Sequence, residues 1–143
     1  MAVAAGLRAA VSAVVGEADT AIAAGSGDVP VLATPRLLAL AEAASVAAIS
    51  PQLDPGMTSV GTSASLEHRR ASPIGAEVVV ESELTEVDGR RLVFSFIARE
   101  RGHRPGAGGD EGDEDRVVGA GTVERVLVDR EAFLARAAAA HRP

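Results

Sequence analysis

The chain has no cysteine, tryptophan or tyrosine, and only three phenylalanines among its 143 residues. Without cysteine there is no disulfide framework, no thiolate zinc site and no thiol nucleophile, and the sequence suits a reducing cytoplasm. With so few aromatics, small side chains such as Ala and Val must fill the interior, although apolar residues reach 47%. Such a core buries little area per residue, so a second copy covering part of the surface would add apolar contact, and a homodimer is expected. Basic residues are also outnumbered, 14 against 20 acidic, for a net charge of -6. That balance excludes a general nucleic-acid binder, which needs a phosphate-neutralising surface. No run approaches the ~20 consecutive apolar residues that span a bilayer, so no membrane partner is expected. His68, His103 and His141 lie far apart and show no metal-ligand spacing, so neither a metal nor a cofactor is expected. The Ala/Val-rich start is interrupted by Arg8 and has no basic segment before it, unlike a secretory signal.

The length fits one domain over residues 1–143. Residues 2–15 are ambiguous, because Ala and Leu favour helix while Leu7, Ala9, Val11, Ala13 and Val15 alternate as in a strand. Residues 25–30 form a Gly/Ser/Asp/Pro loop. A helix is expected to begin at Thr34-Pro35, with the Thr34 hydroxyl as N-cap and Pro35 as first helical residue, and to end near Ser50. Its apolar positions run nearly all the way round, the pattern of a buried helix. Strands follow at 58–68, 77–87, 91–100 and 117–128, read as a four-stranded antiparallel meander. Asp88-Gly89 marks a type I′ hairpin between the second and third of these. Residues 102–115 are Gly-rich and acidic, and read as a flexible hairpin loop. Asp129 caps a C-terminal helix over residues 129–140. An antiparallel sheet wrapped around one long central helix is an α+β arrangement with the outline of a hot-dog fold.

Three residues stand out chemically. Glu42 projects from a mostly apolar helix face, where an ionised carboxylate calls for a partner, a shifted pKa or a functional role; reaching solvent at a subunit edge is the plainer alternative. Thr34 has its capping role as an ordinary explanation. His68 ends a strand of small and hydroxylated residues, suits proton transfer near neutral pH, and is followed by Arg69 and Arg70.

Taken jointly, Ala33-Thr34, Glu42, Gly56, Ser59-Val60-Gly61-Thr62 through His68, 87–92 (VDGRRL) and 121–125 (GTVER) resemble the fluoroacetyl-CoA thioesterase family of hot-dog proteins. The resemblance runs from about residue 30 to Phe133, and its strength is the joint spacing, eight residues from Thr34 to Glu42 and twenty-six more to His68. It implies a dimeric hot-dog thioesterase that hydrolyses a small acyl-CoA to free acid and CoA, with Thr34, Glu42 and His68 as the catalytic set. Gly61 and Arg125 are implied to contact the substrate, with Arg69 or Arg70 available to CoA phosphates; CoA is part of the substrate, so no cofactor is implied. Thioester hydrolysis needs an activated oxygen, a base and an anion that orients it, and these three residue types supply them. Residues 25–32 contain none of the phenylalanines that the family places just before its Thr, so fluoroacetyl specificity is not implied with the rest. The alternatives are a non-catalytic acyl-CoA-binding protein and a structural homodimer with a vestigial pocket.

Overall fold

The computed structural model describes residues 3–102 and 114–141. Most of the expected acidic loop, residues 103–113 with His103, lies outside the described residues. Five strands, β1 (Arg8–Val14), β2 (Met57–His68), β3 (Glu77–Asp88), β4 (Arg91–Glu100) and β5 (Arg116–Asp129), form one antiparallel sheet in the order β1-β3-β4-β5-β2. Among the described residues three α-helices accompany it: a single turn α1 (Ala21–Ala24), the 16-residue α2 (Thr34–Ile49), and α3 (Arg130–Ala140). This is the expected α+β hot-dog arrangement, a curved sheet packed around one long helix.

The ambiguous N-terminal segment is a strand. Ladder bonding to β3, from Arg8 opposite Glu83 to Val14 opposite Glu77, overrides the helix propensity of its alanines. Alternation places Val78, Val80, Ser82 and Leu84 of β3 and Leu92, Phe94, Phe96 and Ala98 of β4 on the inner face, all buried. Phe94 and Phe96, 0% and 1% exposed, are the largest wholly buried side chains of the sheet. Each contributes roughly 1.5–3 kcal/mol by removal from water. Asp129 caps α3 as expected, its carboxylate accepting from Ala132 N at 2.9 Å.

Four details depart from the sequence reading. First, β2 does not neighbour β3; it crosses to the far edge and pairs with β5, from Met57 opposite Asp129 to His68 opposite Gly119. Second, Asp88 pairs with Arg91, so the hairpin turn is Gly89-Arg90. Gly89 alone has positive φ, +61°, which is the type II′ rather than the type I′ pattern. Third, α2 buries Leu37, Leu40, Ala41, Ala44, Ala48 and Ile49 against the sheet, whereas Ala39, Ala43, Val46 and Ala47 face outward. One sheet covers one side of a helix, and among the described residues nothing covers the other. Fourth, the N-cap is Ala33 rather than Thr34, and it offers no capping side chain.

A buried hydroxyl pair fixes the helix on the sheet. Ser45 Oγ donates to Ala41 O at 2.8 Å and lies 2.8 Å from Ser82 Oγ on β3. Both serines are buried, so rotation of α2 would leave these hydroxyls unsatisfied.

Candidate functional site

Thr34 opens α2 and His68 closes β2, and the fold sets these two ends side by side, Thr34 Oγ1 lying 2.8 Å from His68 Nδ1. Because Ala33 is the N-cap, the Thr34 hydroxyl is not engaged as a cap and turns to the imidazole. β2 stops at His68 because the next two amides, of Arg69 and Arg70, both donate to Val118 O at 2.7 and 3.2 Å, bending the chain out of the ladder. His68 is half-buried, and among the described residues its Nε2 is enclosed with no hydrogen-bond partner. Burial pulls its pKa below the ordinary 6.5, with the Arg70 backbone opposing. The imidazole is thereby held neutral near pH 7, the form that accepts a proton. A groove of about 300 Å³ opens beside the pair, its lining including Ser26, Val31, Leu32 and Arg70. Arg69, also on its wall, is ion-paired with Glu67 at 3.0 Å.

Glu42 belongs to a second cluster. Its Oε2 accepts from Arg125 Nη1 at 3.1 Å, while Arg125 Nε and Nη2 donate to Ser59 Oγ at 2.8 Å and Ser59 O at 2.9 Å. Arg125 is 8% exposed. Burial lowers its pKa and Glu42 pushes it back up, so it remains a guanidinium held at three points. Gly61 lies opposite Arg125 on β2, at a bulge in the β2–β5 register. A Cβ there would come 2.6 Å from Glu42 Oε2, so the glycine makes room for the carboxylate. Sequence reasoning quoted Ser59 within a motif but gave it no role; a single Ser in a strand carries no sign that it will receive a buried guanidinium.

The structure thus joins Thr34 to His68, and Glu42 to Arg125, Ser59 and Gly61. It does not join the two clusters within one chain. Eight residues of helix separate Thr34 from Glu42, about 12 Å of rise. Among the described residues, no three His, Asp or Glu side chains come together as a metal-binding group.

Comparison with known proteins gives four findings. Residues 15–131 match the family model described as fluoroacetyl-CoA-specific thioesterase. The fluoroacetyl-CoA thioesterase of Streptantibioticus cattleyicolor is 38% identical over 106 residues, 74% of this chain and 67% of that protein. A solved structure of the fluoroacetyl-CoA thioesterase FlK superposes with a TM-score of 0.80 at 31% identity, covering 100% of both chains. A hot-dog-like protein from Thermanaerovibrio acidaminovorans also reaches a TM-score of 0.80, over 97% of this chain and 93% of that one; at 19% identity it bears on the fold alone.

Proposed function

The chain belongs to the fluoroacetyl-CoA-specific thioesterase family, and from that premise we propose that it hydrolyses a small acyl-CoA thioester to free acid and CoA with Thr34, Glu42 and His68. The observation that carries the assignment is the 2.8 Å contact between Thr34 Oγ1 and His68 Nδ1. Neutral His68 accepts a proton at Nδ1 from the oxygen that attacks the thioester carbon, either Thr34 Oγ1 or a water that Thr34 orients. That proton then goes to the departing CoA sulfur. Where water attacks, its oxygen becomes the hydroxyl of the acid directly; where Thr34 attacks, a water deprotonated by the same imidazole then cleaves the acyl–Thr34 ester, releasing the acid and returning the proton to Thr34 Oγ1. The first-turn N–H groups of α2 point toward the carbonyl oxygen as charge develops there. Glu42 acts as the orienting or water-activating carboxylate, and Gly61 and Arg125, which adjoin it, contact the acyl-CoA substrate. No cofactor takes part, since CoA arrives with the substrate, and we place the reaction in the cytoplasm.

A homodimer completes this site. β2 is a 12-residue edge strand whose Gly61–Ser65 stretch is exposed, and an open edge is a template for pairing with another chain. Two-fold antiparallel pairing centred on that stretch sets Gly61 of one copy near Ser65 of the other. The Glu42 cluster then approaches the partner subunit's Thr34 and His68, and the open face of α2 is covered. Mixing inactive Glu42→Ala and His68→Ala chains tests the arrangement. Each mixed dimer regains one complete site, so activity recovers to about a quarter of wild type at random assortment; no recovery would show that each site lies within one chain.

The substrate is tested by thiol release over short, branched, aromatic and fluorinated acyl-CoAs. We expect turnover of short acyl groups without preference for fluorine, because residues 25–32 place no phenylalanine beside the groove. Binding of these esters without turnover of any would overturn the hydrolase assignment.

A further inference from the structure

Asp19 lies outside both clusters, yet its contacts converge on the turn that carries Thr34. Its backbone carbonyl accepts from Ala33 N at 2.9 Å, and its Oδ1 accepts from Arg36 Nε at 2.8 Å. Ala33 and Arg36 bracket Thr34, one on each side. The remaining oxygen, Oδ2, accepts from Gly16 N at 2.8 Å, which anchors Asp19 just beyond the end of β1. Asp19 therefore bridges the sheet and the first turn of α2.

That turn has unusual need of such a support. The first amides of a helix have no intrahelical acceptor, and a capping side chain normally holds them. Here the N-cap is Ala33, which has none, and Pro35 brings no N–H. An uncapped first turn frays. Fraying at this place would move the Thr34 hydroxyl relative to His68, whose position is fixed separately by the β2–β5 ladder and the Val118 carbonyl.

We infer that Asp19 and Arg36 are positioning residues for thioester hydrolysis, bolting the first turn of α2 so that Thr34 Oγ1 stays on His68 Nδ1. The Gly16 N–H and then Arg36 hold the Asp19 pKa below its ordinary 3.8, so the bolt is charged throughout the neutral range. The Arg36 side chain is 39% exposed, and ion pairs that reach solvent add little to global stability. The effect falls on rate instead, because small misplacement of reacting groups slows chemistry far more than it weakens a fold.

The inference rests on the proposed role of Thr34, and the test separates the two. Thiol release from acetyl-CoA is measured for the full chain and for Asp19→Asn, Arg36→Gln, Arg36→Lys, Thr34→Ala and Asp19→Asn/Thr34→Ala, with circular dichroism to confirm folding. Asp19→Asn and Arg36→Gln lower kcat about tenfold or more with KM little changed. Arg36→Lys, which keeps the charge, restores most of the rate. In the Thr34→Ala background Asp19→Asn adds no further loss, since the hydroxyl it positions is gone. Wild-type kcat in both Asp19→Asn and Arg36→Gln, or equal losses with and without Thr34, would overturn the inference. Should Asp19→Asn fail to fold, Arg36→Gln carries the test. If Thr34→Ala keeps the wild-type rate, the role of Thr34 falls; if it alone loses rate, only the bolt falls.

Discussion

Replacing Gly61 with alanine places a methyl group 2.6 Å from Glu42 Oε2 and 3.4 Å from Arg125 Nη1. The first separation is too short for any real contact, so one group must move. Gly61 is in a strand and is not among the positive-φ glycines, so its backbone accepts alanine. Arg125 is held by Ser59 through two further donors, which leaves the Glu42 carboxylate as the group that yields. Two energies then oppose each other in the fold. Reduced freedom of the unfolded chain stabilises by about 0.4–1 kcal/mol, while loss of one charged hydrogen bond to a part-exposed carboxylate costs about 1 kcal/mol. Net stability therefore changes by less than about 1 kcal/mol, a shift of roughly 2–4 °C in Tm at most for a chain of this size. The reaction has no such compensation. If Glu42 must keep its orientation to serve His68, displacing it raises the barrier by at least about 1.4 kcal/mol, a tenfold loss of kcat/KM. Thiol release and thermal unfolding, measured together, separate the two effects. A Gly61→Ala enzyme with wild-type kcat/KM would show that the Glu42–Arg125 geometry is irrelevant to turnover; a large loss of Tm would show that the glycine serves packing.

Thr34 is not the N-cap, so Thr34→Ala should change stability by less than about 0.5 kcal/mol in denaturant unfolding, while kcat falls by roughly a hundredfold; Thr34→Ser keeps the hydroxyl and most of the rate. With His68 as the proposed neutral base, its pKa lowered by burial, the acid limb of the pH–kcat/KM profile should have its midpoint below 6.5, and a midpoint above 6.5 would contradict the burial argument. For stability the sign follows from proton counting. Between its lowered folded pKa and 6.5, unfolded His68 binds more protons than folded His68, so this residue's contribution rises with pH through that window and is lost as pH falls through it. Ser45→Ala leaves Ser82 Oγ buried without its 2.8 Å partner, which should cost about 1–3 kcal/mol in denaturant unfolding; removing both hydroxyls should cost less than the single change.

The parts of the fold that were readable from sequence are those set by local pattern. β3 and β4 alternate inward Val78, Val80, Leu84, Leu92, Phe94 and Phe96 with mostly charged or hydroxylated outward residues, and their bounds came out within a residue of the structure. Where two local patterns competed, as in β1, only pairing with β3 decides. The placement of β2 beside β5 is not written in the connecting residues 69–76, because local pattern does not say which strand edge β2 joins and only its long-range pairing decides. The pairing of Thr34 with His68 across 34 residues was likewise beyond spacing arguments, and its readability came from resemblance to a family. In the same way, an apolar α2 announces that its faces are covered without saying by what.

That last ambiguity bears on the chemistry. Three features stand unaccounted for among the described residues: the exposed apolar residues of α2, the exposed run of small residues on β2, and the separation of the Glu42 and Thr34–His68 clusters. Small side chains on an edge strand contribute little packing within their own chain, yet they let another backbone approach closely. A sheet extended across β2 would cover the apolar helix face, satisfy the edge amides and shorten the distance from Glu42 to a His68. A single intermolecular contact of the proposed kind would account for these three features together, which is why the mixed-dimer experiment tests the proposed pairing and the catalytic set at once.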